Sequence, residues 1–156
     1  MILSQRQSFR NLRSMQTTKS LDHQDAMRAL NAVREQLVRE AKSAVVAVVD
    51  DHGELLGFLR VGNASLPSIN IAMNKAYTAA RNRGPTGDIG KGVRDPLNGF
   101  DINYFGDARF IGWDGGLPVV VAGAVEGAVG VSGLTGEEDV AVAQCGIDAI
   151  LAGISS

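Results

Sequence analysis

The sequence has few of the residues from which most catalytic and metal sites are built. In 156 residues it carries one cysteine, Cys145, and two histidines, His23 and His52. A single cysteine makes no internal disulfide, and one cysteine with two histidines falls short of a zinc ligand pattern. The formal net charge is −2, so there is no basic excess to neutralise phosphates, which argues against a nucleic-acid binder. No apolar run reaches the ~18–20 residues that span a bilayer, and no membrane association is expected. A secretory signal would need an apolar core, which the N-terminus lacks. With a lone thiol and no export signal, the expected compartment is the cytoplasm. Glycine is missing from the first third of the chain, and all 19 glycines lie from Gly53 onward.

What is present has the balance of one ordinary globular domain: 45% hydrophobic and 21% charged residues. Residues 1–19 differ from the rest. They hold Arg6, Arg10, Arg13 and Lys19 with no acid before Asp22, and they read as a flexible N-terminal arm. Met15 is an alternative start, and a short mitochondrial transit peptide is a compositional alternative. Residues 20–156 are expected to form a single domain.

Asp22 is suited to cap a first helix over 22–41, with Met27, Leu30, Val33, Leu37, Val38 and Ala41 as its apolar stripe. The run AVVAVV before Asp50 is short, β-branched and apolar throughout, as expected of a strand covered on both faces. Asp50-Asp51-His52-Gly53 is turn chemistry and predicts a hairpin returning over 54–61. Ser65 and Pro67 open a second helix that Gly84-Pro85 would end. Residues 84–107 hold six glycines without periodicity and read as a long loop. Short strands follow near 109–111, 118–122 and 125–131, and Thr135 with Glu138 forms a capping box for a last helix. The order predicts an α/β (α+β) domain with a mainly antiparallel sheet and flanking helices.

The glycines at 127, 130 and 133 invite a phosphate-loop reading, but their spacing fits neither dinucleotide nor P-loop patterns. The helix after them begins Glu137-Glu138-Asp139, which repels phosphate. Gly130-Val131-Ser132-Gly133 lacks the second glycine of a nucleophile elbow, since position 134 is leucine. Close backbone approach or positive φ explains these glycines better. His52 reads as a solvated turn residue with metal ligation as the alternative, and Cys145 as a small packed residue. His23 reads as a surface helix residue or as an axial nitrogen for an iron porphyrin. Lys75, Arg81, Arg83 and Arg109 sit near Tyr104, Phe110 and Trp113 in sequence. Cations beside rings suit a flat carboxylate-bearing ligand, and the same rings could instead plug the loop onto the core or a subunit contact.

The segments VVAVVDDHGELLGFLRVGNA (45–64), MNKAYTAARNR (73–83), GGLPVV (115–120) and GAVGVSGLTGEEDVAVAQCGIDAI (127–150) together resemble the GlcG-like, HbpS-type haem-binding family, also found as the C-terminal domain of some cobalamin adenosyltransferases. The resemblance implies a profilin-like fold with a five-stranded antiparallel sheet and homo-oligomerisation. It also implies haem as cofactor or, more broadly, a tetrapyrrole ligand. Two functions follow as expectations. One is an oligomeric accessory protein binding haem or a related planar small molecule, with Lys75, Arg81, Arg83 and Arg109 meeting acidic groups, Tyr104, Phe110 and Trp113 as walls and His23 as axial ligand. The other is an enzyme of small-acid or aromatic-compound catabolism, its site at a subunit interface among Asp50, Lys75, Arg109 and Asp114. A scaffold or accessory subunit without a cavity is the third.

Overall fold

The computed structural model describes residues 16–155; most of the arm expected over 1–19 lies outside the described residues. Asp22 caps helix α1 (His23–Arg39), its carboxylate accepting from the amides of Gln24 and Asp25 while Asp25 accepts from the amide of Asp22. The helix buries Ala26, Ala29, Leu30, Val33 and Leu37. Met27 and Val38, expected on that stripe, are exposed.

Strand β1 (Ala44–Asp50) pairs antiparallel with β2 (Leu55–Val61) on one side and with β4 (Ala124–Ser132) on the other. Strand β3 (Gly116–Val121) pairs antiparallel with β4, giving the order β2-β1-β4-β3. As a central strand, β1 is covered on both faces. Ala44, Val46 and Val48 pack with α1 and with α4 (Gly136–Ile154), while Val45, Ala47 and Val49 face α2 (Pro67–Asn82). The strand period of two thus divides one apolar run between two cores. Thr135 and Glu138 form the expected capping box of α4.

Helix α2 begins with Pro67 and carries alanines 72, 76, 79 and 80 toward the sheet. It lies so close to β4 that a Cβ on Gly130 would overlap the Ala72 carbonyl and the Ala76 amide. The helix ends just before Gly84-Pro85, as expected, with its C-cap Arg83 in the left-handed region at φ 57°.

Two sequence expectations need correction. Residues 84–107 are not one loop: helix α3 spans Thr86–Val93, and a 3-10 turn spans Ile102–Phe105. Three of the eight α3 residues are glycines, which masks its helical character. The sheet has four strands and not five, because residues 109–111 stay out of it. Their backbone is held by a side chain instead: Thr78 Oγ1 donates to the Arg109 carbonyl and accepts from the Ile111 amide, each at 3.1 Å. Among the described residues no helix is long and apolar enough to cross a membrane.

Candidate functional site

Helix α2 feeds two clefts of different character. At its C-terminal end, Arg81 and Arg83 line a cleft of about 390 Å³ with Asp51, His52, Phe105, Asp107 and Phe110. The β1–β2 turn forms one wall. Asp50 Oδ1 accepts from the amides of His52 and Glu54, and Arg81 Nε donates to the His52 carbonyl at 3.0 Å. Asp51 is buried and lies 3.0 Å from His52 Nδ1. Burial alone would raise the Asp51 carboxyl, but the hydrogen bond with Ser20 and the adjacent His52 carry it below its ordinary value.

The cleft also has an aromatic lining, Phe105 and Phe110. Phe105 and Phe110 stack with centroids 4.3 Å apart and planes at 14°, and Phe110 meets Tyr77 edge-on at 6.1 Å. Tyr77 donates to Asp107 at 2.5 Å, and Arg109 sits over the Tyr77 ring at 3.8 Å while donating to Asp107. Hydrogen bonds from Arg109 and Tyr77 hold the Asp107 carboxyl far below its ordinary range. Burial, and then the bond to Asp107, push the Tyr77 phenol up. Asp51 and Arg83 also border a wider cleft of about 740 Å³ beside Lys19 and the β3–β4 hairpin. The two hollows meet at these residues, and their sizes fall in the ~300–1,000 Å³ range of ligand pockets.

The second site faces the middle of α2. A cavity of about 420 Å³ is bordered by Lys75, Trp113, Asp114, Ser132, Gly136 and Asp139, with Ser68 nearby. Lys75 is only 3% exposed; its Nζ donates to Asp139 Oδ2 at 2.9 Å and to the Val131 carbonyl at 2.8 Å. Asp139 Oδ1 accepts from the Leu134 amide. Burial raises the Asp139 carboxyl, and the hydrogen bond from Lys75 draws it back. The Lys75 ammonium is therefore engaged inside the protein.

The residues singled out from sequence do not converge on one point. Arg81, Arg83 and Phe110 share the first cleft; Lys75 and Trp113 border the second. Arg109 borders a smaller hollow with Tyr77, Met73 and Glu54. Tyr104 is 84% exposed beside Phe100 and Phe105. His23 is exposed at the start of α1 and borders none of these hollows. Sequence reasoning does not single out Asp107, counts Phe105 only among the rings of that stretch, and reads His52 as a solvated turn residue with metal ligation as the alternative. Asp107 sits two residues before Arg109, a spacing that offered a local ion pair as a signal.

A protein-family model described as haem degrading protein HbpS-like matches residues 21–148. Protein GlcG of Escherichia coli K12 is 36% identical over 118 residues, covering 76% of this chain and 85% of that protein. Among solved structures, Klebsiella pneumoniae protein ORFY superposes with a TM-score of 0.84 at 31% identity, covering 90% of this chain and 97% of that one. The PduOC:heme complex superposes with a TM-score of 0.77 at 26% identity, covering 83% and 94%.

Proposed function

This chain belongs to the HbpS-like family, and from that premise we propose that it is an oligomeric accessory protein that binds haem or a related planar, carboxylate-bearing molecule. The observation carrying this reading is the Arg81–Arg83 cleft. It is lined by two arginines, a stacked Phe105–Phe110 pair and His52. Guanidinium groups pair with carboxylates, and the stacked rings offer an apolar wall to a flat macrocycle. The donor set therefore suits a porphyrin with acidic side groups. Haem, when bound, supplies the iron chemistry, while the chain holds its carboxylates and screens one face. Arg81 keeps its Nε on the His52 carbonyl, which fixes the arm reaching the ligand. The similarity to the PduOC:heme complex supports the ligand class.

Exposed Phe100, Tyr104 and Trp113, with strand edges at β2 and β3, support assembly into a homo-oligomer that would close the open side of the cleft. The test is a titration of the purified protein with hemin. A saturable Soret shift that weakens at least tenfold in an Arg81→Ala, Arg83→Ala double variant is expected. Absence of any shift would refute the reading.

One observation favours a second reading, an enzyme acting on small organic acids. Lys75, Asp139, Asp114 and Ser132 surround a single cavity, and Asp114 is exposed beside it. A panel of small aliphatic and aromatic acids separates the two. Turnover that drops in Asp114→Asn supports catalysis, and no turnover leaves binding alone.

A further inference from the structure

Resting on the haem-binding reading above, we propose that His52 is the iron-ligating residue of the Arg81–Arg83 cleft and that Asp51 is its positioning residue. A ligating imidazole needs one ring nitrogen free at the cleft and the other held by an acceptor, because that second bond sets the tautomer and the ring orientation. His52 meets both conditions. Its Nδ1 lies 3.0 Å from Asp51 Oδ1. A carboxylate only accepts, so Nδ1 is the donor of this contact, and in the neutral imidazole that tautomer leaves the Nε2 lone pair for a metal. The ring borders the cleft and is 69% exposed, whereas the Asp51 side chain is 6% exposed.

The surroundings fix the turn as well. The His52 amide donates to Asp50, its carbonyl accepts from Arg81, and the Asp51 amide donates to Ser20 Oγ at 3.1 Å. Arg81 and Arg83 lie on the same cleft, where they can take the acidic groups of a ligand whose metal meets His52. His23, the other histidine, has neither a hydrogen-bonded carboxylate among the described residues nor a place on these hollows. This geometry favours His52 over His23, the residue on which the sequence reading had placed axial ligation.

The experiment is hemin titration of the full chain followed by visible and electron paramagnetic resonance spectra of the ferric complex. Wild type, His52→Ala, Asp51→Asn and His23→Ala are compared, with circular dichroism to confirm folding. In His52→Ala the histidine-ligated spectrum disappears, affinity falls at least tenfold, and added imidazole restores the bands. Asp51→Asn keeps binding but shifts the spectrum and weakens affinity roughly 10–100-fold, as second-sphere partners of ligating histidines do. His23→Ala matches wild type. If wild type gives a Soret shift and folded His52→Ala reproduces its spectrum, this inference is wrong and haem binding stands. If wild type takes up no hemin, both fall together.

Discussion

The two clefts beside helix α2 use cations in opposite ways. At the middle of the helix, Lys75 is buried and holds Asp139 and the Val131 carbonyl, so its charge joins α2, β4 and α4. Two turns further on, Arg81 and Arg83 stay exposed at the cleft, each tied by one hydrogen bond to a carbonyl, with the Arg81 guanidinium also 4.9 Å from the Tyr77 ring centroid. A compact ammonium desolvates into a tight internal site, while a planar guanidinium can donate to a carbonyl and still present further donors outward. One helix thus supplies an internal anchor and an external clamp. A basic residue near a predicted site is available to a ligand only where its internal partners leave donors exposed.

The sharpest way to break this contrast is to remove the anchor. Lys75→Met leaves Asp139 buried without its cation, and loss of one partner from a buried pair costs about 3–5 kcal/mol. Chemical denaturation is expected to show that loss near neutral pH. The sign with pH follows from Asp139, whose folded pKa is already raised by burial and rises further without Lys75. A raised carboxyl favours the folded state when protonated and disfavors it as pH climbs through the folded value, so the deficit shrinks as the pH is lowered. A deficit that does not vary with pH would show that the lost packing dominates and that the charge does not.

Gly130→Ala tests the same helix through its contact with the sheet. The added Cβ meets backbone of Ala72 and Ala76, which cannot rotate away, so α2 must shift. Overpacking of this kind costs about 1–3 kcal/mol. Because both clefts hang from α2, a loss of stability with unchanged hemin affinity would show that the C-terminal end of the helix is held independently, by Thr78 and the turn at His52.

These two residues also show where the sequence was readable. Capped helix starts at Asp22 and Thr135, the doubly buried β1 run and the hairpin turn at Asp50 are local signals, and each produced the element expected. The glycines at 127–133 read as close approaches or positive-φ positions; Gly130 is of the first kind and Gly133, at φ 128°, of the second. Helix α3 was hidden because Gly87 and Gly90 lower its propensity. They are needed there, since their missing side chains make room for Asp114 and the Gly112 carbonyl. The strand expected at 109–111 has β-forming residues, but the Thr78 hydroxyl captures its backbone first. The cations and rings of the open cleft were visible as composition. The partner of Lys75 was not, because Asp139 lies 64 residues away, and contacts at that separation leave no local pattern.

A smaller effect sharpens the aromatic side of the open cleft. The folded pKa of Asp107 is depressed by Arg109 and Tyr77, so its contribution is present above its ordinary value of 3.8 and fades as pH falls below it. Asp107→Asn is expected to lower stability slightly near neutral pH and to flatten the acid limb in that window, so that variant and wild type converge as the pH falls. Thermal melts from pH 2 to 7 measure this. An unchanged acid limb would mean that other carboxylates control it.

The smallest expected change in stability belongs to Arg83→Gly, and it separates the clamp from the fold. Arg83 sits in the left-handed region at φ 57° and ψ 31°, where a side chain costs roughly 1–2 kcal/mol and glycine costs almost nothing. Glycine forfeits the bond from Arg83 Nη1 to the Val125 carbonyl, worth about 0.5–1.5 kcal/mol, and its unfolded chain is freer by about 0.5–1 kcal/mol. These terms nearly cancel, so the melting temperature should move little. Hemin affinity should still fall, because a guanidinium–carboxylate contact is worth about 1.5–3 kcal/mol, roughly tenfold or more in Kd. Strain kept at the end of α2 without a stability gain is what a residue held for its ligand would show. A variant that melts higher and binds hemin unchanged would instead make Arg83 a strained helix end with no part in the cleft.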